Sequence, residues 1–218
     1  MRILILLGFL FSATCQGGEV FTKFPENIDP AGKYVFYSHG FIVEGSNPKP
    51  VNPRWGVYDF PQVKRALSDD GYHLIAYHRP SNTDPSRYAE KLASNVLELI
   101  KNGVEPKNIS LVGFSRGGAI TILTSNLLAR DDLNYIILAG CGDYIDNDQD
   151  LKMYGDVFSV LETSDELVGS CQNLITRSAN VKSFNELSVS TGKEHGAFYT
   201  PLREWVKPVK KWIKRNEG

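Results

Sequence analysis

One stretch decides the fold of this 218-residue chain: Asn108-Ile109-Ser110-Leu111-Val112-Gly113-Phe114-Ser115-Arg116-Gly117-Gly118. An apolar run typical of a buried strand leads into Gly113, and a helical pattern follows from 119 to 128. Gly113-x-Ser115-x-Gly117 therefore stands where a strand turns sharply into a helix, which is the context of an exposed, nucleophilic serine. Glycine suits both flanking positions because a side chain there would collide with the neighbouring strand and helix. The alternatives are a turn rich in glycine and serine without chemistry and an anion-binding loop.

Apolar runs and helical patterns alternate along the rest of the chain. The predicted strands are 33–38, 72–77, 108–112, 133–139, 157–161 and 180–187, and the predicted helices are 60–69, 85–101, 119–128, 166–178 and about 198–215. The run at 133–139 is continuously apolar, which indicates burial on both faces of a parallel sheet. The alternation predicts an α/β fold, with a mostly parallel central sheet and helices on both faces in three layers. The segment 141–154 has room for one short helix only.

A nucleophilic serine needs a base to take its proton and an acid to orient that base. In a turn of this kind the acid and then the histidine follow the serine along the chain. His195 is the one histidine of four that lies after Ser115, in a glycine-flanked loop before the last helix. Asp165, which follows the strand at 157–161, is the preferred acid. The alternative acids are Glu162, Glu166 and Asp143.

The negative oxygen of a tetrahedral intermediate needs two backbone N–H donors. We expect one donor at Arg116, directly after the nucleophile, and the other at Phe41, in the loop after the first predicted strand. Gly40 lets the backbone of that loop approach closely. His39 precedes Ser115 in the chain, and we interpret it as a structural residue that holds this loop and not as the base.

Glu44 and Arg79 are two further candidates, because each follows a predicted strand. The carboxyl ends of strands are where α/β sheets carry their sites. The two side chains are expected to form an ion pair that braces the loop at Phe41, or Arg79 binds a carboxylate of the substrate. Plain exposure to solvent is the third possibility for both side chains.

Together, His39-Gly40, the hexad from Gly113 to Gly118, Asp165 and His195 resemble the α/β-hydrolase superfamily, and within it the small, lidless serine esterases of carboxylesterase-like and dienelactone-hydrolase-like type. The resemblance covers roughly residue 33 to the C-terminus. It implies a serine hydrolase that cleaves carboxylic ester bonds through an acyl-enzyme. A thioesterase, a lipase, a peptidase and a non-catalytic binding protein on the same fold are the alternatives.

The expected substrate is a small-molecule ester. The histidines and carboxylates have no metal-ligand spacing, so neither a metal nor another cofactor is implied. The formal net charge of −1, from 24 basic and 25 acidic residues, does not indicate a nucleic-acid partner. Without a cap insertion, we expect a shallow apolar wall of Phe41, Phe114 and Phe198, and hence a preference for short acyl groups.

The N-terminus resembles a signal peptide over residues 1–17. Met1-Arg2 is followed by an apolar run at 3–11, too short to span a bilayer comfortably, and then by small residues. Cleavage after Cys15 or Gly17 would suit this pattern. The expected remainder is one domain at 18–218, exported to a periplasm or secreted. Membrane anchoring through a lipid on Cys15 is disfavoured because Ser12 and Thr14 fit poorly before a lipidated cysteine.

Removal of the leader leaves two cysteines, Cys141 and Cys171. An even pair in an oxidising compartment favours one disulfide bond. Two buried free thiols are the alternative.

Overall fold

A computed structural model describes residues 18–215. Its centre is a seven-stranded sheet in the order β1-β5-β2-β6-β7-β8-β9, in which every neighbouring pair is parallel. A small antiparallel hairpin, β3-β4, lies outside it. The strands are β1 (Val20–Phe21), β2 (Tyr34–Ser38), β3 (Val51–Asn52), β4 (Gly56–Val57), β5 (His73–Ile75), β6 (Ile109–Phe114), β7 (Asn134–Leu138), β8 (Tyr154–Glu162) and β9 (Asn180–Val189). The predicted α/β fold with a mostly parallel sheet is confirmed.

Helices cover both faces of the sheet. They are α1 (Phe60–Leu67), α2 (Pro85–Lys101), α3 (Arg116–Leu128), α4 (Asp143–Asn147), α5 (Gln172–Thr176) and α6 (Arg203–Lys214). Successive residues of a strand point to opposite faces. Accordingly, Tyr34 and Phe36 of β2 join a core with α2, while Val35 and Tyr37 join a second core with α1 and α6. Burial of both faces explains the unbroken apolar runs in the sequence.

Three expectations about elements need correction. The predicted helix at 166–178 is helical only at α5, because the side chain of Asp165 accepts a bond from the amide of Leu167 and the amide of Gly169 bonds to Cys141. The helix expected from about 198 begins at Arg203, after a 3-10 turn at Glu194–Phe198. The edge strand β1 and the hairpin β3-β4 fall in segments for which no strand was predicted.

The predicted disulfide is confirmed. Cys141 and Cys171 are bonded, with their Cα atoms 5.2 Å apart. Cys141 follows β7 and Cys171 precedes α5, so the bond joins the loops after two neighbouring strands. The predicted leader at 1–17 lies outside the described residues. Within residues 18–215, no helix has the length and apolar character needed to cross a membrane.

Candidate active site

The turn between β6 and α3 holds Ser115 in an unusual backbone conformation, with φ of 53° and ψ of −119°. A Cβ atom at Gly113 would lie 2.0 Å from the carbonyl oxygen of Gly117. A Cβ atom at Gly117 would lie 1.9 Å from the carbonyl oxygen of Ser38 in β2. The amide of Ser115 is fixed by a 2.9 Å bond to the carbonyl of Leu138 in β7. Only glycine fits the two flanking positions, and the serine is forced outward at the carboxyl end of the sheet.

The structure brings Ser115, His195 and Asp165 into one hydrogen-bonded row. His195 Nε2 lies 2.8 Å from Ser115 Oγ, and His195 Nδ1 lies 2.6 Å from Asp165 Oδ2. The side chains of His195 and Asp165 are 7% and 1% exposed. When the neutral imidazole carries its proton on Nδ1, that N–H donates a hydrogen bond to the carboxylate of Asp165. Nε2 is then free to accept the proton of the serine hydroxyl. In this arrangement the three side chains could serve as a nucleophile, its base and an acid that orients the base.

The alternative acids stand elsewhere. Glu166 is exposed and approaches Arg54 at 3.9 Å, and Asp143 is the first residue of α4.

Glu162 is buried, and its two carboxylate oxygens accept hydrogen bonds from two different loops. Its Oε1 accepts the amide and hydroxyl of Ser164, in the loop that carries Asp165. Its Oε2 accepts the amide and hydroxyl of Thr191, in the loop that carries His195.

The charge on Glu162 is stabilised by these four hydrogen bonds. Burial by itself raises the pKa of Glu162, but the bonds from Thr191 and Ser164 outweigh burial and lower the pKa to about 2. Glu162 is therefore ionised at neutral pH. It fastens the acid loop to the histidine loop and makes no contact with the imidazole among the described hydrogen bonds.

The loop after β2 passes beside the serine. Gly40 lies so close to the ring of Phe114 that an added Cβ would be 3.0 Å from it. Phe41 begins a 3-10 turn and Arg116 begins α3, so the N–H group of each is at a helix start, where no intrahelical acceptor exists. Phe41, Arg116 and Ser115 line the same cleft. The two N–H groups remain our candidate donors to a negative oxygen.

His39 holds this loop from behind. Its ring is buried, with Nδ1 2.8 Å from the carbonyl oxygen of Gly40. The amide of Arg79 donates to Nε2 at 3.0 Å, so Nδ1 carries the proton and donates to Gly40. Burial, reinforced by the charge of Arg79, lowers the pKa of His39 well below its usual value. A neutral imidazole with a hydrogen bond at each ring nitrogen fits the structural role predicted for His39.

Glu44 and Arg79 form the ion pair that was one of the sequence expectations, with 3.3 Å between Arg79 Nε and Glu44 Oε1. Their side chains are 2% and 0% exposed, and they line neither of the clefts at Ser115. Arg79 also donates to the carbonyl of His39, and Arg116 Nε lies 3.5 Å from Glu44 Oε1. Because both side chains are enclosed behind the loop they brace, this geometry favours the ion pair over substrate binding by Glu44 or Arg79.

Sequence reasoning missed a contact to the histidine loop from the β3-β4 hairpin. Trp55 Nε1 donates to Glu194 Oε2 at 2.8 Å, and Arg54 Nε lies 2.5 Å from the same oxygen. The ring of Trp55 lies 5.4 Å from that of His195. The sequence carries a signal for the hairpin turn, although not for its contact with Glu194. In the structure Asn52 accepts the amides of Arg54 and Trp55 within that turn. Asn-Pro-x-x-Gly between two valines is typical turn chemistry.

Two connected hollows open at Ser115. The larger has a volume of about 490 Å³, and the smaller has about 180 Å³. Phe114 lines the smaller hollow and Phe41 lines both, whereas Phe198 is fully buried in the core and lines neither. The predicted wall of three phenylalanines is therefore corrected. A still larger depression, of about 800 Å³, lies along the basic face of α6 and contains none of the candidate catalytic residues.

Within residues 18–215, no group of three or more histidine, cysteine, aspartate or glutamate side chains is arranged to hold a metal ion.

Comparisons with known proteins support the fold alone. The chain matches no family model and no curated protein sequence. It is similar to the solved structure of Arabidopsis thaliana SOBER1, with a TM-score of 0.58 and 15% identity over 86% of this chain and 100% of that one. It is also similar to an esterase/lipase from an uncultured bacterium, with a TM-score of 0.57 and 15% identity over 85% of this chain and 77% of that one.

A third similar structure is a lipase-esterase related protein from Clostridium acetobutylicum. Its TM-score is 0.53, with 14% identity over 86% of this chain and 96% of that one. Two of these three neighbours carry the word esterase in their names, and the chain has the α/β-hydrolase fold that the sequence resemblance implied.

Proposed function

We propose that this chain is an exported serine hydrolase that cleaves the carboxylic ester bond of small molecules. One observation carries the proposal: His195 lies 2.8 Å from Ser115 Oγ on one side and 2.6 Å from Asp165 on the other. Nucleophile, base and orienting acid are thus within hydrogen-bond reach of one another, as covalent acyl transfer requires. The esterase names among the structural neighbours support the same reaction class.

Acylation begins when Ser115 Oγ attacks the ester carbonyl carbon and His195 Nε2 takes the serine proton. The Asp165 carboxylate keeps the imidazole in the required tautomer and stabilises its positive charge. The amides of Phe41 and Arg116 donate to the carbonyl oxygen as it becomes negative. His195 then gives its proton to the leaving alcohol oxygen, the C–O bond breaks, and the acyl group remains on Ser115.

Deacylation repeats these steps with water. His195 takes a proton from the water as its oxygen attacks the acyl carbon. The second tetrahedral intermediate collapses, the proton returns from His195 to Ser115 Oγ, and the carboxylic acid leaves. Thioesters and amides can follow the same route, so the ester assignment is tested by comparing matched ester, thioester and amide substrates.

The experiment that tests the proposal is labelling with a fluorophosphonate probe, together with hydrolysis of phenyl acetate. The purified wild-type protein should be labelled at Ser115 and should release phenol. Ser115→Ala should lose labelling and lower kcat on the order of 10⁴-fold or more. Ser86→Ala, at an exposed serine in α2, serves as the matched control and should behave as wild type. Unlabelled wild-type protein would point instead to a non-catalytic binding protein.

Export is supported by the leader pattern at 1–17 and by the bond between Cys141 and Cys171. N-terminal sequencing of the protein from its native source should give a start near Gln16 or Gly18. A start at Met1 would contradict export, and a lipid on Cys15 would favour anchoring.

A further inference from the structure

We propose that the two hollows divide the substrate: an apolar acyl chain of several carbons occupies the larger one, and a compact alcohol occupies the smaller one. The inference rests on the proposed function and extends it to the substrate class. We call the larger hollow the acyl trough and the smaller one the alcohol box. The trough is lined by Arg116, Ala119, Ala139, Tyr144, Ile145 and Val168, among others. The box is lined by Ile42, Trp55, Tyr58, Phe114, His195 and Tyr199.

The position of His195 decides which half of the ester enters which hollow. Both hollows reach Ser115 and Phe41, but His195 lines only the alcohol box. In acyl transfer the leaving oxygen must receive its proton from Nε2 of the base, so the leaving group lies on the side of the imidazole. The acyl chain then extends the other way, past Arg116 into the trough.

The alcohol box is small and rigid. Its volume of about 180 Å³ is below the roughly 300–1,000 Å³ of typical ligand pockets, and it must also hold the reacting ester group. Tyr58 and Tyr199 stack with ring centres 4.9 Å apart, and both are buried. Trp55 is fixed by its bond to Glu194. These three rings have little freedom to move aside, whereas Phe41 and Leu167, which line both hollows, are exposed. A compact alcohol therefore fits against the rings and a long one does not.

The acyl trough is larger and mostly apolar. Its volume of about 490 Å³ lies within the typical range for ligand pockets. Phe41, Tyr144 and Leu167, on its rim, are each more than half exposed, which leaves their apolar surface free to cover a ligand. Two charged residues line the trough: Arg116, which is engaged with Glu44 and lies over the ring of Phe41, and Asp143 at the start of α4. The other side chains around it are mostly apolar. An uncharged acyl chain of several carbons therefore suits the trough better than the short acyl groups expected from sequence.

A pair of isomeric esters tests this division. Methyl hexanoate and pentyl acetate contain the same atoms and differ only in which side of the ester carries the chain. A fully buried methylene raises kcat/KM about fourfold, and half that burial in an open trough gives about twofold. Four extra methylenes on the acyl side should thus favour methyl hexanoate by at least about tenfold. Equal rates, or faster hydrolysis of pentyl acetate, would overturn the proposal.

Two variants test whether the acyl trough is the source of the preference for methyl hexanoate. Tyr144→Ala removes an exposed wall and should lower the ratio of kcat/KM for methyl hexanoate to that for methyl acetate about threefold or more. Leu127→Ala, an exposed apolar residue at the far end of α3, should leave that ratio at the wild-type value. An unchanged ratio in Tyr144→Ala would contradict the assignment. Failure to hydrolyse any of the three esters, with no fluorophosphonate labelling, would instead overturn the proposed function itself.

Discussion

Ser115 is a residue whose backbone is held in place by its neighbours and not by its own preference. A non-glycine residue with φ of 53° and ψ of −119° is under strain of roughly 1–3 kcal/mol, which the surrounding structure must offset. The close approach of Gly117 to β2 and of Gly113 to Gly117 supplies that restraint. The strain keeps Oγ outside the sheet, where His195 reaches it.

The first prediction concerns Gly117. Gly117→Ala should destabilise the protein by about 3 kcal/mol or more, because the added Cβ would meet the carbonyl of Ser38 at 1.9 Å and β2 is a central strand. Urea denaturation followed by circular dichroism measures the change. Gly169→Ala is the matched control, since nothing lies within 4 Å of its added Cβ, and it should be nearly neutral. Equal stability of the two variants would contradict this account of the turn.

The second prediction separates the two buried acids near His195. Asp165→Asn should lower kcat on the order of 10³–10⁴-fold, because the amide no longer fixes the tautomer of His195. Glu162→Gln should lower kcat far less but should cost about 1–3 kcal/mol of stability at pH 7, because it leaves buried hydrogen-bond donors of Ser164 or Thr191 without acceptors. A larger kcat loss in Glu162→Gln than in Asp165→Asn would reverse the assignment.

The stability effect of Glu162 should also depend on pH. Its pKa in the folded protein is lowered to about 2 from an ordinary value of 4.5, so its contribution is fully present above pH 4.5 and is lost as the pH falls from 4.5 towards 2. The difference in unfolding free energy between the wild type and Glu162→Gln should therefore shrink over that range. A difference that stays constant between pH 7 and pH 3 would count against an ionised Glu162.

At the scale of residues, the sequence predicts the candidate catalytic side chains but not the contacts that hold them in place. Ser115, Asp165 and His195 are marked by turn positions after strands and before helices, and such signals are local in the chain. The contact of Trp55 with Glu194 joins residues 139 positions apart, and no local pattern announces it. The enclosure of Glu44 and Arg79 likewise depends on how the loops after β2 and β5 pack together.

At the scale of elements, the β3-β4 hairpin acts on the loop that carries His195. Glu194 has φ of 52°, and an added Cβ at Gly196 would lie 2.6 Å from Trp55. The hydrogen bond from Trp55 and the ion pair with Arg54 both end on Glu194 Oε2. The carboxylate of Glu194 thus fastens the histidine loop to the hairpin, one residue from the imidazole.

The third prediction tests that fastening. Trp55→Phe keeps an aromatic ring but loses the Nε1 donor to Glu194, and kcat should fall about 10- to 100-fold because a small displacement of the base is enough to slow the reaction. KM for methyl acetate should change less than kcat. Glu166→Gln, at an exposed acid that also approaches Arg54, is the control and should retain wild-type kcat. A loss confined to KM would argue for a role in substrate contact alone.

The fourth prediction concerns the disulfide between the loops after β7 and β8. The bond closes a segment with a sequence separation of 30, and its removal in Cys141→Ala/Cys171→Ala should lower stability by about 2–5 kcal/mol. Because the same loops carry Asp165 and the trough wall at α4, turnover of methyl hexanoate should fall more than that of methyl acetate. A stable double variant with an unchanged ratio of the two rates would show that the loops hold their places without the bond.

Long elements were predicted better than short ones. The bounds of α2, with its proline at the start and glycine after its end, were read correctly because capping signals lie within the segment. The helix predicted at 166–178 failed because the amides of Leu167 and Gly169 donate hydrogen bonds to Asp165 and Cys141, which gives its first residues turn structure. Strand β1 has only two residues and owes its place to pairing with β5, which sequence periodicity does not reveal.

For the whole molecule, the parallel sheet gathers the site from distant parts of the chain. Ser115 and His195 are 80 positions apart, and Asp165 and His195 are 30 apart. Each follows the carboxyl end of a strand, β6, β8 or β9, and in a parallel sheet these ends share one edge. The order of nucleophile, acid and base along the chain was therefore enough to predict their meeting, although the hollows around them were not predictable.

The last prediction follows from what lies above that edge. Between β7 and β8 the chain forms only the five-residue helix α4, and the trough beside it is open to solvent, with Tyr144 and Leu167 exposed on its rim. Interfacial activation needs a cover that moves aside at an oil–water surface, and the described residues form none over Ser115. The rate of tributyrin hydrolysis should therefore follow ordinary saturation and show no jump when the substrate passes its solubility limit. A lidded lipase run in parallel provides the positive control, and a sharp rise for this protein at the same point would contradict an open, uncovered trough.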